Sequence, residues 1–356
     1  MTTFENPAIK LVPSAGVRTL RGRRWMLVLV SASVLLGLVC PFPLVGRLWS
    51  EMFDLAHAPV FCLLLTACAG LIDPASIGLS PRYVQLRKVA AGDTMVLAGG
   101  CLLLGCTGEL LQIFAGRSPS AVDLTADGAG ILSGIFWMRS RRVIGCGRLL
   151  LTLAASTVLA SAMARPALGI WGAMQQRSDF PMLASFERRN ELGAWAENRS
   201  TIQRTTKWAS DGTHSLRLDL FPGGFSGISM IWPVSDWRCY DRLNWDIRNT
   251  KAIPLKLTVK IYDLCHTRGG FDPTDRFELG FVVPPGAVHT LSLDLSAVSL
   301  APQTRPMRMD QIAGVELFTA QLKESHTVML DNMRLVKNPI LTAMESKSVT
   351  ANNRRL

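Results

Sequence analysis

Charge is scarce in this chain: Asp, Glu, Lys and Arg make up 18% of its 356 residues, against 48% from the apolar set. The scarcity is uneven. Residues 1–174 hold 8 acidic and 15 basic residues, whereas residues 175–356 hold 19 and 23, the ordinary density of a soluble domain. So sparse a first half excludes a purely soluble enzyme, and the apolar content excludes a disordered chain. Also missing are a phosphate-cradling loop, a dinucleotide fingerprint, a haem motif and any CxxC or Cys/His spacing suited to zinc. These absences argue against a cofactor enzyme, and no cofactor is expected. No acidic pair stands out by spacing as a glycosidase pair. No small-x-small site follows the first apolar run, which therefore reads as an uncleaved helix rather than a signal peptide.

What is present is a series of apolar runs. Five approach the ~20 residues that cross ~30 Å of hydrocarbon: Trp25–Val45, Leu55–Ile72, Met95–Ala115, Val122–Met138 and Ile144–Ala164. Lys10, Arg18, Arg21, Arg23, Arg24, Arg82, Arg87, Lys88, Arg139, Arg141, Arg142 and Arg148 fall on one side of these runs. Only Arg47, Arg117 and Arg165 fall on the other. This asymmetry predicts a cytoplasmic N-terminus and an extracytoplasmic C-terminal half in a multi-pass inner-membrane protein. Much of the +11 net charge is thereby spent on orientation, so a nucleic-acid partner is not expected, while membrane lipids are. Cys40, Cys62, Cys68, Cys101, Cys106 and Cys146 lie in or beside the apolar runs and read as packing thiols.

Ionisable groups inside apolar helices are costly and mark functional candidates. Asp54 and His57 are three apart, as are Glu109 and Gln112, and Asp123 and Asp127 are four apart. Each pair shares one helix face, and all three fall towards the outer leaflet in the predicted orientation. Arg117 and Ser118 occupy the short loop between the third and fourth runs. Glu109 lies about 14 residues into its run, ~21 Å along a helix. That depth leaves it ~9 Å inside the outer boundary of a ~30 Å core.

The order Asp54-x-x-His57, Glu109-x-x-Gln112, Arg117-Ser118, Asp123 and Gly130 resembles the VanZ-like membrane proteins over about residues 25–140. That family is named for a member associated with glycopeptide resistance. The chain departs from it at Asp127, where the family usually has Asn, and a second carboxylate beside Asp123 repels the first unless a cation or proton intervenes. Three readings of the cluster stay open. It pins helices together; or Arg117 and the Gln112 amide hold a phosphate or glycan headgroup; or Glu109 and His57 do acid–base work on a lipid-linked substrate. Gly130-x-x-x-Gly134 reads as a close helix-packing seam.

Beyond residue 175 the periodicity changes to that of strands. Ser215–Leu220, Leu255–Asp263, His289–Leu295 and Val328–Val336 largely alternate apolar and polar residues, and Gly227–Trp232, Leu243–Arg248, Arg276–Val283 and Gly314–Thr319 are further strand candidates. Pro222-Gly223-Gly224, Gly269-Gly270 and Pro284-Pro285-Gly286 punctuate them. About eight short strands predict a β-sandwich. Trp232 and Trp245 are expected in its core. Trp208 and Phe271, beside loop signals, are candidate sugar-stacking residues, with Asp272 and Asp275 as polar contacts. Cys239 and Cys265, the two cysteines of this half, are expected to pair outside the cytoplasm.

Ser185-Phe186-Glu187 and Leu330-Asp331-Asn332-Met333, with Asp211-Gly212 and Trp237-x-x-Tyr240-Asp241 between them, resemble the opening and closing strands of galactose-binding-like jelly rolls. These include many carbohydrate-binding modules, and the resemblance covers about residues 180–337. It implies Glu187 and Asp331 as candidates for a shared structural Ca2+, a cation that takes oxygen ligands; two ordinary surface carboxylates is the alternative.

The expected fold is multi-domain. A basic segment 1–24 precedes an α-helical polytopic membrane domain 25–140. A fifth transmembrane helix and linker 141–172, an all-β jelly-roll sandwich 180–337 and a disordered tail 338–356 follow. The expected function is an envelope protein that binds a glycan or lipid-linked glycan at the outer face of the inner membrane, in exopolysaccharide or cell-wall assembly. An enzyme acting on a polyprenyl-linked or lipid headgroup, and a scaffold whose sandwich binds a protein, are the alternatives.

Overall fold

The computed structural model describes residues 25–26, 28–34, 36–37, 46–72, 91–115 and 119–337. The expectations for segment 1–24, for the basic residues of 73–90, for Arg117 and Ser118 and for the tail 338–356 lie outside the described residues. Two compact units emerge: Met1–Pro43 with Phe53–Pro166, and Leu44–Met52 with Ala167–Leu356.

The first unit is helical. Its elements are α1 (Arg47–Ile72, the first residues of which belong to the second unit), α2 (Ala91–Gln112, continued as a 3-10 turn over Ile113–Ala115), α3 (Ala121–Ser140) and most of α4 (Cys146–Asp179). Helix α1 buries His57, Ala58, Phe61, Leu64, Leu65, Cys68 and Ala69, a single stripe at three- and four-residue spacing. That stripe packs on Cys101 of α2 and on Ile131, Ile135 and Met138 of α3. Ser120 caps α3 by accepting the Asp123 N–H at 3.1 Å, which uses one of the donors a helix start leaves over.

The expected glycine seam is present. A Cβ on Gly130 would collide with the Ala58 carbonyl oxygen, and one on Gly134 would lie 3.3 Å from that of Cys62. The backbones of α1 and α3 therefore approach as only small residues permit. Leu63, Val96, Leu103 and Leu150 are each more than 60% exposed, which is compatible with insertion in a membrane.

Among the described residues three helices are long and apolar enough to cross a membrane: Arg47–Leu71, Asp93–Gln112 and Cys146–Asp179. Five were expected. The first expected run is described only in part. The fourth forms α3, but Asp123 and Asp127 within its 20 residues keep it outside that set. The fifth is longer than expected: α4 has 34 residues and runs through the segment assigned to a linker.

The second unit is built on two antiparallel sheets. Eleven strands follow α4: β1 (Met182–Ala184), β2 (Trp195–Asn198), β3 (Ser200–Thr205), β4 (Ser215–Leu220), β5 (Gly223–Ile231), β6 (Arg242–Asn249), β7 (Leu255–Asp263), β8 (Phe277–Val283), β9 (Val288–Asp294), β10 (Ile312–Leu322) and β11 (His326–Val336). One sheet has the order β3-β4-β11-β6-β9, with β1 also on β11; the other has β2-β5-β10-β7-β8. Their inward faces share one core in which Phe186, Trp237 and Trp245 are fully buried.

The eight expected strands all appear within a few residues of their expected bounds. Strands β1, β2 and β3 were not foreseen: β1 has three residues, while β2 and β3 are polar edge strands. Gly223-Gly224, expected as a turn, opens β5. Ser185-Phe186-Glu187 is not a strand, because Phe186 adopts φ 58° just after β1. Trp232, expected in the core, lies just past β5 at φ 59° and is half-buried.

Candidate functional site

The helical unit gathers most of the predicted polar residues. His57 on α1, Glu109 and Gln112 on α2, and Asp123 and Asp127 on α3 are all buried, between 1% and 7% exposed. The capped start of α3 and the end of α2 make the cluster. Glu109 accepts the Ser120 N–H at 2.7 Å through one oxygen and the Gln112 amide at 3.2 Å through the other. His57 Nδ1 lies 2.8 Å from Asp127 Oδ1. The second oxygen of Asp127 is buried with no hydrogen-bond partner, and it points at Gly105 of α2, where a Cβ would lie 2.6 Å away.

Asp54, half-buried on α1, sits one turn before His57. Arg117 and Ser118, assigned to the same site by sequence, lie outside the described residues. Asp127, one turn after Asp123 on α3, is thus the residue that holds His57. An imidazole oriented by a carboxylate can shuttle a proton or coordinate a cation through its other nitrogen.

In the sandwich unit, Glu187 and Asp331 hold one loop. Glu187 Oε1 accepts the N–H groups of Thr213 and His214, each at 2.7 Å, and Oε2 accepts the Thr213 hydroxyl at 2.9 Å. Slight burial pushes the carboxyl up, but these hydrogen bonds outweigh it and bring the pKa down to about 2. Asp331 is fully buried. Its Oδ2 accepts the N–H of Ser210 at 2.7 Å and of Asp211 at 3.0 Å, and its Oδ1 accepts that of Asn332 at 2.8 Å. Burial pushes its pKa up. All four oxygens accept hydrogen bonds from residues 210–214 or from Asn332, so the two carboxylates fasten this loop to the strands.

Asp331 stands opposite Asp246 across β11 and β6. Ser210 Oγ lies 2.7 Å from Asp246 and 3.2 Å from Asp331. Burial raises the Asp246 pKa, but hydrogen bonds from Thr290, Ser210 and Asn332 bring it below the ordinary value. Sequence reasoning missed Asp246 and Ser210, since nothing local in Trp245-Asp246-Ile247 marks a buried carboxylate.

Of the four candidate glycan residues, Phe271, Asp272 and Asp275 share the loop after β7. Phe271 is 59% exposed at φ 63°, its ring 5.6 Å from that of His266 and perpendicular to it. Asp272 is exposed and binds the Thr274 N–H and hydroxyl at 2.9 and 2.8 Å. Asp275 is tied to Arg305 at 2.7 Å, and Arg305 also clamps the fully buried Asp263 at 2.5 and 2.7 Å. Trp208 is half-buried, on the other loop, the one held by Glu187 and Asp331. His266, fully buried with no hydrogen-bond partner on either ring nitrogen, was not foreseen. Its signal was Asp263-x-x-His266, a helix-start spacing in which Asp263 accepts the His266 N–H at 3.0 Å.

Cys239 and Cys265 are free thiols, not a disulfide. Cys239 is exposed in the turn after Trp237, and Cys265 lies in the one-turn helix α5 (Leu264–Arg268).

No protein-family model and no curated protein matches the chain. Among solved structures it is similar to an exo-β-agarase at 15% identity and TM-score 0.36, over 44% of this chain and 25% of that one. It is similar to a family 11 carbohydrate-binding module from Clostridium thermocellum, in complex with a β-1,3-1,4-mixed-linked tetrasaccharide, at 13% identity and TM-score 0.33, over 44% of this chain and 94% of that one. A Clostridium thermocellum xylanase 10B with CBM22-1 and GH10 modules, complexed with xylohexaose, gives 9% identity and TM-score 0.32, over 46% and 29%. The chain spans about a quarter of the agarase's length.

Proposed function

We propose that this is an integral membrane protein of the cell envelope that engages the headgroup of a lipid-linked glycan. The helical cluster holds the headgroup and the sandwich meets the glycan. One observation carries the reading: five polar side chains from three largely apolar helices converge and are buried. Such groups are costly in a membrane and persist where they do something. The exposed ring of Phe271 beside Asp272 supports the second half, since aromatic faces and carboxylates together suit a sugar.

A second reading has its own support. The His57–Asp127 hydrogen bond is the arrangement that orients a general base, so the same site could act on a polyprenyl-linked or lipid headgroup. The test uses the full chain in lipid nanodiscs, incubated with lipids extracted from the membranes of the producing cells and analysed by native mass spectrometry. Retention of a lipid-linked glycan by the wild type, lost in Glu109→Gln at equal protein abundance, is the expected result. Equal retention by both removes the headgroup reading. Release of a headgroup fragment by the wild type and not by His57→Ala moves the assignment to the enzyme.

A further inference from the structure

One ring nitrogen of His57, one oxygen of Glu109 and one of Asp123 lie within 4.8 Å of one another, and all three residues are buried. They come from three different helices, α1, α2 and α3. We propose that these three side chains bind a first-row divalent cation, Mn2+ or Zn2+ in type, within the helical unit.

The spacing is close to what coordination requires. Nitrogen and oxygen donors sit about 2.0–2.2 Å from such an ion, so two donors across it are at most about 4.4 Å apart. Only small side-chain shifts separate the observed positions from a coordination shell. The surroundings are also built for it. Asp127 lies 2.8 Å from Nδ1 of His57, so the proposed ligand atom is Nε2. Metal-bound histidines carry this outer carboxylate, which fixes the tautomer and the ring plane. Glu109 is held in place by Ser120 and Gln112.

Charge points the same way. The second oxygen of Asp127 is buried without a hydrogen-bond partner, and a buried carboxylate oxygen in that state favours a nearby positive charge. One imidazole with two carboxylates suits Mn2+ or Zn2+ better than Ca2+ or Mg2+, which favour oxygen ligands throughout. Three protein ligands leave positions open for water or a phosphate oxygen. The link to a phosphate rests on the headgroup reading above; the cation rests on the donors alone.

The test uses the full chain purified in detergent, stripped with a chelator, and titrated with Mn2+ alone while free Mn2+ is read by electron paramagnetic resonance. The expected result is one saturable site per chain, displaced by Zn2+ and abolished in Asp123→Asn. Affinity should fall about 10–100-fold in Asp127→Asn, the usual cost of losing an outer-shell partner. Asp236→Asn, exposed on the sandwich unit and paired only with Arg238, leaves the site unchanged. Failure of the stripped but monodisperse wild type to take up either metal saturably overturns the proposal and hands the counter-charge to another group, such as Arg117. Wild-type affinity in Asp123→Asn and Asp127→Asn, with melting unchanged, overturns it too. Metal uptake without glycan-lipid retention retires the headgroup reading and keeps the cation; retention without metal does the reverse.

Discussion

Alanine at position 130 sets two opposite effects against each other. In a helix interior, Gly to Ala is favourable by about 1 kcal/mol, because alanine loses less backbone freedom on folding. Against this, the new Cβ would overlap the Ala58 carbonyl oxygen and lie 2.9 and 3.0 Å from Ala58 C and Cα. Carbon atoms pack best about 3.5–4.0 Å apart, so α1 and α3 must separate by roughly half an ångström or more. The obstacle is backbone and cannot rotate aside. Separation also loosens Phe61 and Leu65 from Ile131 and Ile135. Overpacking of this kind costs about 1–3 kcal/mol, and a clash with backbone belongs at the upper end, leaving a net loss of about 2 kcal/mol.

Gly128, two residues earlier on the same helix, has nothing within 4 Å of its would-be Cβ. Gly128→Ala therefore keeps the gain of up to about 1 kcal/mol without the clash. The two variants should differ by about 3 kcal/mol, more than 100-fold in the unfolding equilibrium. Thermal melting of the full chain in one detergent, followed by circular dichroism, compares them. Because Ala58 adjoins His57, Gly130→Ala should also weaken Mn2+ binding, whereas Gly128→Ala should not. If Gly130→Ala melts at or above Gly128→Ala, the close approach of α1 and α3 is wrong.

Two further outcomes concern the sandwich. Arg305→Met leaves the fully buried Asp263 without its bidentate partner, and breaking such a pair costs about 3–5 kcal/mol. Since Arg305 is 25% exposed on its side chain, the lower end is expected. Lysine should recover only part, lacking the planar fork; a denaturation midpoint equal to the wild type would refute the clamp. Glu187 has its pKa brought from 4.5 to about 2 in the folded chain, so its ionised form is favoured by folding. Its stabilising contribution is complete above about pH 4.5 and is lost as pH falls towards 2. The difference in melting temperature between wild type and Glu187→Gln should therefore shrink over that range; a constant difference would show that the hydrogen bonds to residues 213 and 214 do not depend on its charge.

Much of the fold is legible without coordinates. The period-two alternation of Ser215–Leu220 and Leu255–Asp263 marks β4 and β7 to the residue, because each has one face in the core and one outside. The short edge strand β2 escapes the same reading: it buries only its first residue, so Trp195–Asn198 has no alternation to detect. The three pairs on α1, α2 and α3 are visible from helical spacing alone, since an acid or amide in an apolar helix is conspicuous. Which pair meets which is not. Asp127 reads from sequence as a repelling neighbour of Asp123, and only the packing of α1 against α3 shows that it holds His57, 70 positions away.

The sandwich site shows the opposite limit. Glu187 and Asp331 resemble the ends of a jelly roll in sequence, and only the folded chain shows that the 210–214 loop returns to hydrogen-bond with both. Cys239 and Cys265 look like a pair by elimination and remain free. Composition and periodicity thus determine where apolar surface must be hidden and which helices suit lipid, because those depend on each residue's own side chain and near neighbours. Contacts between residues far apart in sequence depend on register and on how closely two backbones approach. Glycines such as Gly130 set that approach, and only the folded chain decides it.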